Sequence, residues 1–278
     1  MPRELRRLLI EPNRLSGVDG ATKRVTLKPE EAHYLARVLR LRPGDPVEVV
    51  DGCGSLWRAR RGEGDWLEEL VSSGPRAEPL SPRLNLALAL PRQEVEVVWR
   101  MACELGIDRL QPLRSERSQA SGRREPVERW QALLREATEQ CERLWLPTLE
   151  SPRPAMHWWS DGKGWKLLAT TRCPGIAALE TALDQLSRDS GLPEEIRLAI
   201  GPEGGWSPAE EAFAEAQGWR PVCLGTTILR SGTAAVAGAS RLVAWRELSC
   251  AASPGPSHGI HPDRPHCDDA PEGGHRRP

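Results

Sequence analysis

The sequence predicts an α/β protein in which a small β-barrel precedes a larger domain built on a parallel sheet. Three observations predict it. From residue 84 onward, short apolar runs alternate with segments of helical period, the rhythm of β–α–β units. Before residue 75 the pattern is instead one of short strands and turns around a single helical segment. Between the two, SSGPRAEPLSPR (72–83) concentrates Ser, Pro and Gly, as connections between domains do. The expected boundaries are a barrel at 1–75, a linker at 76–83, the α/β domain at 84–250 and a tail at 251–278.

In order along the first domain, KRVTL (23–27) alternates as a strand does, PEEAHYLARVLRL (29–41) has helical period, and PGD (43–45) marks a turn. VEVVDG, SLWRAR and DWLEELV then read as strands, and a barrel is the packing that buries their apolar faces. In the second domain the expected strands are LNLALAL (84–90), RLQPL (109–113), KLLAT (166–170), RLAI (197–200) and PVCL (221–224). Helices are expected near 93–105, 126–141, 176–190, 208–217 and 233–247. The last 28 residues hold six Pro and four Gly, with Ile260 as their only large aliphatic side chain, and are expected to be disordered.

Composition excludes several functions. No apolar run approaches the roughly 20 residues that cross a bilayer, and MPRELRRLLIEP lacks the apolar core of a secretory signal, so a cytoplasmic protein is expected. The seven Cys stand singly, without Cys-x-x-Cys pairs, which argues against a disulfide framework. The tail histidines 258, 261, 266 and 275 with Cys267 match no ordinary zinc spacing, and no metal is expected. The net charge of -1 announces no polyanionic partner, so nucleic-acid binding would have to rest on local clusters of Arg.

The most informative stretch is IGPEGGW (200–206), set between an apolar run and SPAEEAFAEA. A strand delivers the chain into a glycine-rich turn that opens a helix, a geometry that often holds a ligand. Phosphate is a poor candidate. The loop has neither Gly-Lys-Ser/Thr nor Gly-x-Gly-x-x-Gly, no Lys or Arg lies between Arg197 and Arg220, and Glu203 would repel a polyphosphate. A neutral or cationic ligand fits better, with Gly204 and Gly205 allowing its close approach to the backbone. A tight turn with no ligand explains this loop alone equally well. Ser207-Pro-Ala-Glu210 is a capping box that fixes the start of the following helix. A second segment, CLGTTILRSGTAAVAGASRLVAW, repeats the order of strand, glycine turn and helix. Its helix is rich in Ala and Gly, which permits very close packing.

IGPEGGWSPAE followed by LGTTILRSGTAA resembles the SPOUT methyltransferases, and within them the family that methylates N3 of a uracil in 16S ribosomal RNA, the uracil(1498)-N3 methyltransferases. HYLARVLRLRPGD (33–45), ALPRQEVEVVWRMACELGIDRLQPLRSERS (89–118) and RWQALLREATEQCERLWLP (129–147) carry the same resemblance, which spans about residues 5–248. It implies a PUA-like barrel that grips RNA, an α/β domain tied in a trefoil knot, S-adenosyl-L-methionine as cofactor, 16S rRNA or the 30S subunit as partner, and a homodimer. The cofactor pocket implied is Thr170, Ile200, Gly201, Pro202, Glu203, Gly204, Leu224, Gly225, Ile228, Leu229, Arg230, Thr233 and Ala234. Removing an imide proton while a methyl group arrives asks mainly for alignment and charge stabilisation. Arg230 is the candidate to stabilise charge on the base, and Glu203 the candidate proton acceptor. For RNA phosphates the candidates are Arg37, Arg40 and Arg42 in the first domain, and Arg114, Arg117, Arg123, Arg124 and Arg143 in the second. The chain departs from the family at Gly232, where an acidic residue is usual, at Met101, where Lys is common, and at Arg92, also a frequent Lys. Gly232 and Met101 keep open the reading of an RNA-binding protein that has lost catalysis, and a related methyltransferase acting on another RNA position is the third reading.

Overall fold

A computed structural model describes residues 7–15, 24–118, 125–171 and 175–251. The expected disordered tail lies, beyond Ala251, outside the described residues, as do Arg123 and Arg124.

The N-terminal part comprises β1 (Arg7–Leu9), α1 (Pro12–Leu15), β2 (Arg24–Thr26), α2 (Pro29–His33), β3 (Pro46–Val50), β4 (Leu56–Arg61) and β5 (Trp66–Ser72). Its sheet runs β1-β3-β4-β5-β2 and curls as a half-barrel, antiparallel except where β1 lies parallel to β3. Leu8, Ile10, Leu35, Val47, Val49 and Leu67 fill the concave side. The helix expected over 29–41 forms over 29–38, but only its first part is an α-helix. After α2 the chain widens into a π-helical turn, Tyr34–Val38, and leaves it through Arg40 in the left-handed region at φ 54°. Leu35 and Leu41 are both buried. An α-helix would turn residues six apart to different sides, so the wide turn and the reversal at Arg40 are what return Leu41 to the core.

The C-terminal part comprises β6 (Arg83–Ala89), α3 (Val95–Leu105), β7 (Arg109–Arg114), α4 (Val127–Gln140), β8 (Thr148–Leu149), β9 (Arg153–Pro154), α5 (Ala155–Trp159) and β10 (Trp165–Ala169). It continues through α6 (Leu179–Ser190), β11 (Glu195–Ile200), α7 (Pro208–Ala216), β12 (Arg220–Val222) and α8 (Ser231–Ala251). The sheet order is β12-β10-β11-β6-β7-β8, with β9 also on β7, and every pairing is parallel. Helices cover both faces, which is why LNLALAL is apolar at nearly every position rather than at alternate ones. The short α5 escapes periodicity analysis, yet it delivers Trp158 and Trp159 into a buried aromatic cluster with Trp206 and Trp219. The small residues of α8 serve the close packing expected of them. A Cβ on Gly238 would come within 2.6 Å of Leu198 on β11.

Several contacts join the parts, among them two sets of hydrogen bonds. The β3–β4 turn pairs with the chain after α4, through Gly54 N–H to Leu144 O and Leu146 N–H to Gly52 O, both 2.9 Å. On β1, Leu9 donates its N–H to Glu139 at 2.8 Å and accepts from Arg135 at 2.9 Å. Burial raises the Glu139 carboxyl to about 7, outweighing the Leu9 amide and Arg135, while Glu136 and Glu31 push the same way as burial. Since the folded value lies above the ordinary one, the contribution to stability is complete below about pH 4.5 and is lost as pH rises through 7. Glu139→Gln keeps an acceptor for Leu9 and removes the titration. It is expected to raise stability by about 1–2 kcal/mol at pH 8 and by little at pH 4.5, as thermal melts at the two pH values would show.

Candidate functional site

The carboxyl ends of β10, β11 and β12 lie along one edge of the sheet, where ligands of open α/β folds collect. There Ala169–Thr171, the loop 200–206 after β11, the loop 223–230 after β12, Arg117 and the first turn of α8 enclose a cleft of about 750 Å³.

Each wall is held by identifiable bonds. In the glycine loop Gly205 adopts φ 70° and donates to Pro202 O at 2.8 Å, a turn that a β-carbon would strain. The buried Trp206 anchors the loop's far end by donating Nε1–H to Ala169 O at 3.2 Å. The capping box forms as the sequence predicts: Ser207 Oγ accepts from Glu210 N–H at 3.2 Å and Glu210 Oε2 accepts from Ser207 N–H at 2.9 Å. The other Glu210 oxygen accepts from Glu116 N–H at 2.9 Å, binding the chain after β7 to the start of α7. Ser231 donates to Gly201 O at 2.7 Å and fixes α8 against the glycine loop. Thr170 donates to Glu211 Oε1 at 3.0 Å across the cleft wall.

Of the thirteen residues expected to form the cofactor pocket, all but Thr233 line this cleft. Thr233 is exposed, on another side of the first turn of α8. Thr171, Ile176, Trp206, Glu211, Cys223, Ser231 and Arg117 also line it, and sequence reasoning did not place them there. They come from segments flanking the two motifs, and only the convergence of three strand ends brings them in. Arg230 is exposed on the rim, and its guanidinium has no bonding partner among the described residues. Glu203 is exposed, with Arg92 N–H at 3.4 Å from its carboxylate. Apolar Ile200, Leu224, Leu229 and Ala234 line the cleft together with Glu203, Glu211, hydroxyl side chains, Arg117 and Arg230, a mixed lining with room for a flat ligand.

The Arg candidates separate into three groups. Arg37, Arg40 and Arg42 are exposed, with guanidinium groups free of partners among the described residues. Arg37 and Arg40 do not share a helical face, because Arg40 lies beyond the π turn. Arg114 is half-exposed but tied to Glu125 at 2.6 Å, and that hydrogen bond lowers the Glu125 carboxyl from its ordinary range. Arg117 is a brace for the glycine loop, donating to Gly204 O at 3.1 Å and Trp206 O at 3.2 Å. Arg143 is not placed to meet RNA. It is largely buried and donates to Cys103 O in the last turn of α3 at 2.7 Å and to Ile107 O just beyond that helix at 2.9 Å. A lone Arg at a helix end reads the same way in sequence whether it caps a neighbouring helix or faces solvent.

Among the described residues no cluster of His, Cys, Asp or Glu is arranged to hold a metal, and no helix is long and apolar enough to cross a membrane.

Residues 78–243 match the model of an RNA methyltransferase domain, and residues 27–60 that of an RNA methyltransferase PUA domain. The chain is 38% identical over 212 residues to ribosomal RNA small subunit methyltransferase E of Synechocystis sp., covering 76% of this chain and 69% of that protein. With the protein of the same name from Mycobacterium bovis it is 30% identical over 224 residues, covering 74% and 80%. Among solved structures it is similar to a methyltransferase from Legionella pneumophila in complex with the bound cofactor SAM, with TM-score 0.71 and 25% identity over 87% of this chain and 98% of that one. A ribosomal RNA small subunit methyltransferase E from Neisseria gonorrhoeae shares the fold, with TM-score 0.70 and 24% identity over 86% and 96%.

Proposed function

The chain belongs to the RNA methyltransferase family whose model spans residues 78–243, and from that premise we propose that it transfers a methyl group from S-adenosyl-L-methionine to N3 of a uracil in 16S rRNA. The observation that carries the reading is the cleft at the ends of β10, β11 and β12. Its glycine loop carries no Lys or Arg of its own, carboxylates and apolar side chains line most of the cleft, and Arg117 and Arg230 reach it from other segments. The cation-free glycine loop with Glu203 suits a sulfonium, and the apolar side chains suit an adenine ring beside it. When bound there, the cofactor supplies an electrophilic methyl group.

The chain's own residues do the rest. Leu224, Ile228, Leu229 and Ala234 offer an apolar face to the adenine, and the backbone of residues 201–204 and Gly225 approaches it closely. Thr170, on a strand end and hydrogen-bonded to Glu211, contributes a fixed polar wall. Arg230 stabilises negative charge developing on the base oxygens once the imide proton has left. The exposed Arg37, Arg40 and Arg42, and Arg114 with them, meet phosphates of the folded RNA. The domains act as a PUA-like unit over 1–75 and a knotted methyltransferase unit over 84–250, in a cytoplasmic homodimer working on the small subunit.

Incubating the protein and labelled cofactor with small-subunit rRNA from cells that lack the activity, followed by mass mapping of the nucleoside, tests the proposal. 3-Methyluridine is the expected product. A 2'-O-methyl or guanine product would exclude the substrate assignment, and tight RNA binding without transfer would favour a binding protein instead.

A further inference from the structure

A second cavity of about 560 Å³ adjoins the first, lined by residues 90–97 with Glu125, Pro126 and Trp130. The two share a wall. Arg92 of the second cavity donates its N–H to Glu203 of the first. Glu94 Oε2 lies 3.5 Å from where a β-carbon on Gly232 would stand, one residue past Ser231, which lines the first. Glu94 is exposed, and two further features bear on it. Its backbone occupies the left-handed region at φ 70°, which costs a non-glycine residue energy and persists where something retains it. Its carboxylate has no hydrogen-bond or ion-pair partner among the described residues, whereas neighbouring Glu96 and Glu125 are neutralised by Arg129 and Arg114. A strained, exposed residue of the second cavity therefore holds a free carboxylate beside the first turn of α8. The second cavity has an apolar floor of Leu90, Val95 and Trp130 and a polar rim with Gln93, and it has room for a pyrimidine base together with its sugar.

Resting on the function proposed above, we infer that this cavity receives the target base and that Glu94 accepts its N3 proton. The N3–H bond breaks toward the Glu94 carboxylate. The electron pair left on N3 forms the bond to the methyl carbon, while the pair of the carbon–sulfur bond stays on sulfur. The proton then passes to solvent and the carboxylate is restored.

Three variants test this. Glu94→Gln should lower single-turnover rate by about 10²-fold or more and make it rise with pH as hydroxide takes over the proton, while calorimetric affinity for S-adenosyl-L-methionine stays within twofold. Glu94→Gly removes the carboxylate and suits the left-handed backbone. It should lose the same activity while raising Tm by about 2–4 °C, a pairing that a merely structural Glu94 would not give. Val97→Trp, at an exposed position on the cavity mouth, should raise KM for the RNA about tenfold at unchanged cofactor affinity. Wild-type rate in Glu94→Gln, or a loss explained by cofactor affinity, would overturn the inference. Failure of the wild-type protein to produce 3-methyluridine would instead overturn the function on which it rests.

Discussion

Replacing Arg230 with Ala is expected to slow methyl transfer by about 10²–10³-fold while affinity for S-adenosyl-L-methionine stays within a few fold. The split follows from where the side chain sits. Arg230 closes the loop after β12 on the rim of the cleft, exposed and without a partner among the described residues, so its removal leaves no buried group unsatisfied. Its backbone oxygen, which accepts from Ala234 N–H at 2.8 Å and begins the α8 hydrogen-bond series, is untouched by the substitution. The cofactor would still meet Ile200, Leu224, Leu229 and the glycine loop, none of which depends on the guanidinium. The charge that appears on the base during transfer would lose its counter-ion, and that loss falls on the transition state alone. Calorimetry for binding and single-turnover assays for rate measure the two separately. Equal losses in both would refute the role.

The largest effect on stability is expected at Asp108. Arg246 on α8 is 2% exposed, and its guanidinium is held by Asp108 Oδ2 at 2.5 Å and by Gly106 O at 3.0 Å. Asp108 also accepts from Leu84 N–H at 2.9 Å, at the start of the central strand. Asp108→Ala would leave a buried cation uncompensated as well as an unsatisfied strand amide, a loss of about 3–5 kcal/mol. A fall in Tm of about 10 °C would follow for a protein of this size. Adding Arg246→Met should recover part of the loss, because an apolar side chain needs no counter-charge there. A single variant that melts with the wild type would show that the pair contributes little.

Much of the fold is legible in the residues for direct reasons. A strand buried on both faces must be apolar at nearly every position, so LNLALAL announces the centre of a parallel sheet. The capping box at Ser207 and Glu210 is a local device, complete within four residues, and forms as written. Exclusion of phosphate from the glycine loop rests on the absence of Lys and Arg, which the chain itself states. The resemblance of the two loops to a methyltransferase family then supplied the candidate pocket, and all but Thr233 of those residues line one cleft. Thr233 departs because neighbouring residues in the first turn of a helix point to different sides, and spacing along a motif does not say which side faces the ligand.

Other features depended on partners far along the chain. Whether an Arg holds solvent, a carbonyl or a nucleic acid is decided by what lies opposite it. Arg143 and Arg117 look like surface cations in sequence, yet carbonyls 36 to 89 residues away engage them. The π turn at Tyr34–Val38 arises because Leu35 and Leu41 must share one core, a demand that the local helical period contradicts. Glu94 reads as the start of an amphipathic helix. Its left-handed backbone, its place against Gly232 and the second cavity exist only once β6, α3 and α8 have packed. The sequence by itself determined the strand-and-helix order, the capping of α7 and the chemistry excluded from the glycine loop, since each is encoded by near neighbours. Tertiary structure alone decided which charges are free to act, because a charge is satisfied by whatever the fold brings within about 3 Å of it.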